Sequence, residues 1–79
     1  MNRSAFNSQF TPLFNGKAKN GKVDAQGFHS LGSKFMECRV KLGHDIQELS
    51  LEMVKGFLPS GQVPVQVAVD LAWEIVNEG

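Results

Sequence analysis

The apolar residues of this chain fall into three stretches of helical periodicity. Phe28, Leu31, Phe35, Cys38 and Leu42 follow one another at steps of three or four, the spacing that lines one face of a helix. Asp24 precedes the stretch as a capping residue and Gly43 follows it as a left-handed stop, so a helix is predicted over 25–42. Gly27 and Gly32 oppose it, at roughly 1 kcal/mol each relative to alanine. A second stretch, Ile46, Leu49, Met53, Val54 and Phe57, follows Asp45-Ile46-Gln47-Glu48, which has the form of a capping box. It predicts a helix over 46–58, closed by a turn at Leu58-Pro59-Ser60-Gly61. A third helix is predicted over 64–77. Gln66, Asp70, Glu74 and Asn77 form its single polar stripe, and Pro64 suits its first turn.

Period two competes in two places. Met36, Cys38, Val40 and Leu42 alternate with charged residues, and every odd position from 63 to 75 is apolar. The alternative to an all-α, three-helix domain over 24–79 is therefore an α+β domain with strands at 35–42 and 63–70.

Residues 1–23 read differently. Phe6, Phe10 and Phe14 share one helical face, but Thr11-Pro12 interrupts it, since a residue before proline avoids the helical region. Asn-Gly-Lys occurs twice, at 15–17 and 20–22, and Asn-Gly is a strong turn signal. The expectation is an irregular, turn-rich basic arm, partly docked by its phenylalanines.

Length limits what this domain supports. A chain of 79 residues buries a thin core, and small scaffolds generally need a disulfide, a metal, a partner or very regular packing. Cys38 is the only cysteine, and two histidines beside it do not complete a structural zinc site without carboxylates. Regular helix packing or association remains. No run approaches the ~20 apolar residues of a membrane span, and no apolar leader opens the chain. A soluble, cytoplasmic protein is expected.

The formal net charge of zero conceals a split. Residues 1–44 carry seven lysines and arginines against two acids, whereas residues 45–79 carry Lys55 against six acids. Such asymmetry bears on partners rather than on fold.

No constellation of catalytic residues emerges. Gly16 to Val23 matches a phosphate-binding loop except at the last position, where Val23 lacks the hydroxyl that binds magnesium. Cys38 lies on an apolar stripe, the place of a small buried hydrophobe rather than a nucleophile. His44 falls in a turn beside Asp45, and Glu48 and Glu52 complement the dipole at a helix start. These residues predict a protein that is not an enzyme and uses neither a cofactor, a metal nor a small-molecule substrate.

The functional expectation is a non-catalytic protein-interaction module, docking on a larger partner or pairing with itself. The alternative is nucleic-acid binding through the arm, with Lys17, Lys19 and Lys22 on phosphates and Phe10 or Phe14 stacked on bases. A helix-turn-helix is disfavoured because the third helix carries Asp70, Glu74 and Glu78 and no basic residue. The predicted interaction surface comprises Phe10, Phe14, Lys17, Lys19, Lys22, Gln66, Asp70, Trp73 and Glu74.

Overall fold

The computed structural model describes residues 1–58 and 60–78. It is mainly helical, in the order α1 (Arg3–Lys17), β1 (Lys22–Asp24), α2 (Ala25–Ser30), α3 (Gly32–Lys41), α4 (Leu51–Phe57), β2 (Gln62–Pro64) and α5 (Val65–Asn77). The α+β alternative fails over 35–42, which is helical through Lys41, and survives over 63–70 only as the short β2.

Residues 1–23 are not an arm. Asn2 caps α1 by accepting a 2.8 Å bond from the Ala5 amide, and the helix runs through Pro12. Proline inside a helix costs roughly 3 kcal/mol or more. Phe6, Phe10 and Phe14 offset that cost, because all three are fully buried and each phenylalanine contributes about 1.5–3 kcal/mol. Phe10 and Phe14 are thus core residues, not part of the interaction surface on which they were expected. Their rings join a cluster with Phe28 and Phe35, and Phe6 stacks on Phe10 at 4.5 Å.

Of the two Asn-Gly pairs, the first lies in the last turn of α1 and only the second makes a turn. Asn20 and Gly21 both have positive φ, 54° and 77°, and Lys19 and Lys22 exchange backbone bonds across them. Those are the marks of a type I′ two-residue loop.

The predicted first helix is broken at Leu31 into α2 and α3. Asp24 caps α2 as expected, accepting the Gly27 amide at 2.7 Å. Gly27 has a packing reason: a Cβ there meets Asp24 Oδ1 at 3.1 Å and Val23 Cγ1 at 3.3 Å. Gly43, at φ 86°, ends α3, with the His44 amide reaching back to the Arg39 carbonyl at 2.8 Å.

The predicted helix over 46–58 is shortened at its start. Residues 44–50 are irregular, the capping box at Asp45 does not form, and Ser50 caps α4 instead by accepting the Met53 amide. Its predicted apolar face divides accordingly: Leu49 and Val54 are buried, while Ile46, Met53 and Phe57 are exposed. The turn predicted after Leu58 includes Pro59, which lies outside the described residues. The third predicted helix is α5, displaced only by the strand that precedes it.

β1 and β2 pair antiparallel, with Val23 opposite Val63 at the centre. Around that pair the chain repeats itself. Lys17 and Phe57 end a helix, Gly21 and Gly61 turn with positive φ, Lys22 and Gln62 open a strand, and Ala25 and Val65 open the next helix. Two helix–loop–strand–helix units therefore face each other across the strand pair, and one apolar core joins them.

Candidate interaction groove

Between the two units runs the irregular segment 44–50, which crosses in front of α2 and α3 as a strap. Under it lies an apolar groove of about 570 Å³. Met36 of α3 and Leu49 of the strap are nearly buried and form its floor, while Ile46 stands on the rim, 67% exposed. Glu37 of α3 and Glu48 of the strap supply its charge.

The strap has no ladder of its own, so side chains hold its backbone. Arg39 Nε donates to the Asp45 carbonyl at 2.8 Å. At the other end His29 Nε2 lies 2.9 Å from the Leu49 carbonyl. A carbonyl only accepts, so His29 carries its proton on Nε2 in this bond. The residues between these two clamps, Ile46, Gln47 and Glu48, all face the groove.

Arg39 does more than hold the strap. It is 2% exposed, and its Nη1 donates to the carbonyls of Ile75 and Glu78 at 2.7 and 2.6 Å. A buried charge requires partners, and here they are carbonyls at the negative end of the α5 dipole. In the sequence Arg39 counts only as one of the seven basic residues of positions 1–44. Its position beside Cys38 on the inward side of α3 was the available signal.

None of the nine predicted surface residues lines the groove. Phe10 and Phe14 are in the core. Lys17 and Lys19 are exposed around a shallow hollow of about 260 Å³ that also contains Asp24, and Lys22 is exposed nearby in β1. On α5, Gln66 and Glu74 are exposed. Asp70 is paired with Arg3 of α1 at 2.8 Å, a bond that ties the acidic half of the chain to the basic half. Trp73 is half-buried against Phe6, with ring centroids 5.3 Å apart.

The paired loops have the layout of EF-hand calcium loops, in which a glycine at the sixth position is flanked by oxygen ligands at the first, third, fifth, ninth and twelfth. With Gly21 sixth, those positions hold Gly16, Ala18, Asn20, Asp24 and Gly27. With Gly61 sixth, they hold Gly56, Leu58, Ser60, Pro64 and Val67. Neither loop has the charged oxygens that bind calcium, and the one carboxylate, Asp24, is engaged in capping α2. Among the described residues no three His, Cys, Asp or Glu side chains gather as a metal site. A short antiparallel strand pair links the two loops, with Val23 and Val63 at its centre.

Cys38 is buried. Burial raises its thiol pKa, against a smaller lowering by Lys41, so it is a poor nucleophile at neutral pH. No helix among the described residues is long and apolar enough to cross a membrane.

No family model, curated protein or solved structure matches this chain.

Proposed function

We propose that this chain is a non-catalytic protein-interaction module that holds a linear segment of a partner protein in the groove beneath the strap. The observation that carries this reading is the groove itself, an open apolar trough beside the hydrophobic core. Pockets of several hundred Å³ with a few polar groups at the edge are the usual form of a binding site.

The nucleic-acid alternative loses support because Phe10 and Phe14, its stacking residues, are buried. The lysines of the first unit remain, but without a stacking platform beside them.

Selection of random peptides by phage display on the folded chain, followed by NMR mapping of the selected peptides, tests the reading. The expected result is shift changes concentrated at Gly32, Met36, Ile46 and Leu49. Peptides that bind only other faces, or a selection that enriches nothing, refute it.

A further inference from the structure

We infer that the segment taken by the groove is cationic: an apolar anchor side chain flanked by lysine or arginine. This deepens the docking reading and rests on it. Glu37 comes from α3 and Glu48 from the strap, and both line the groove together with the apolar Met36 and Leu49. None of the described residues lining the groove is a lysine or arginine. Among the described residues the ion pairs are Arg3–Asp70 and Lys55–Glu52, and neither includes Glu37 or Glu48. An anionic segment entering this trough meets two like charges, and like-charge juxtaposition across an interface is a strong selector against wrong partners. A cationic flank meets a carboxylate while its anchor displaces water from the floor.

The strap carbonyls of Asp45 and Leu49 are already occupied by Arg39 and His29. Glu37 and Glu48 are the formal charges that the groove presents to a segment of given shape.

The probes are three synthetic peptides sharing a central Leu-Phe anchor and flanked by lysine, serine or glutamate. They are titrated into the folded chain and followed by NMR, at low and at high salt. The lysine-flanked peptide is expected to bind tightest, shifting Gly32, Met36, Ile46 and Leu49, and to weaken as salt rises. Replacing both carboxylates, Glu37→Gln with Glu48→Gln, is expected to weaken it about 5-fold, the modest loss that two exposed ion pairs give. The same double variant is expected to leave the serine-flanked peptide unchanged. Both side chains are exposed, so this variant retains the fold. If the serine- or glutamate-flanked peptide binds the groove as tightly, the charge inference is wrong while the docking reading stands. If the lysine-flanked peptide binds away from the groove, or no probe perturbs it, the inference fails, and the display selection decides the docking reading separately.

Discussion

Replacing Arg39 with methionine removes the charge and nearly preserves the volume, leaving the backbone carbonyls of Asp45, Ile75 and Glu78 in place. That distinction sets the magnitude. Exchanging a whole buried ion pair for apolar side chains is often neutral, because both charged partners leave together. Here the acceptors are main chain and remain. Each orphaned buried carbonyl costs about 1–3 kcal/mol, and those at the α5 end and the strap recover part of this from water. The Ile75 carbonyl keeps the Glu78 amide at 3.4 Å, so two carbonyls are orphaned, and the lower part of that range gives a loss of roughly 2–3 kcal/mol. A domain of this size has about 4–12 kcal/mol in total, so the variant is expected to lose a sizeable share of it. At about 4–8 °C per kcal/mol, Tm falls by roughly 8 °C or more. Urea and thermal melts followed by circular dichroism measure the loss. Amide exchange in residues 44–50 and in the last turn of α5 is expected to accelerate first. Arg39→Lys is expected to recover only part, since an ammonium on a single stem does not span acceptors on the strap and on α5. A methionine variant within about 0.5 kcal/mol of the parent would mean that these three bonds contribute nothing, and the role assigned to Arg39 would be wrong.

Phe10→Ala is expected to destabilise by about 3–5 kcal/mol, whereas Lys19→Gln changes stability by less than about 0.5 kcal/mol; equal effects in a urea melt contradict the placing of α1 in the core. Cys38 is expected to react with a thiol reagent far more slowly in the native chain than in urea, and equal rates contradict its burial. Because the native thiol holds its proton beyond the ordinary value of 9.0, its contribution to stability is present below that pH and lost above it. Cys38→Ser should flatten that alkaline decline in melts recorded across the range. Millimolar calcium and a chelator are expected to give the same Tm; a rise with calcium means that at least one loop binds it.

Several features were legible in the sequence because they depend on neighbours along the chain. Asp24 caps the residue three beyond it, Asn20-Gly21 adopts positive φ unaided, Gly43 ends a helix, and α5 follows from one polar stripe. The internal repeat was legible too, as Gly-x-Val-x-x-Gln at Gly21–Gln26 and Gly61–Gln66, although neither copy has a catalytic or ligand pattern to draw attention to it. The three phenylalanines of α1 showed the right spacing. What overrode Pro12 was their burial against Phe28 and Phe35, which no local signal reports.

The groove belongs to the tertiary structure. Ile46, Leu49 and Met53 have helical spacing, and Asp45 has the form of a cap, so local preference favours a helix there. Docking of the two units sets His29 against the Leu49 carbonyl and Arg39 against the Asp45 carbonyl and the end of α5. Those bonds join residues as far apart as Arg39 and Glu78, and they draw out as a strap a segment whose own pattern is helical. Spacing along a chain reports which residues share a face. Which backbone carbonyls a buried guanidinium captures depends on where distant elements come to rest.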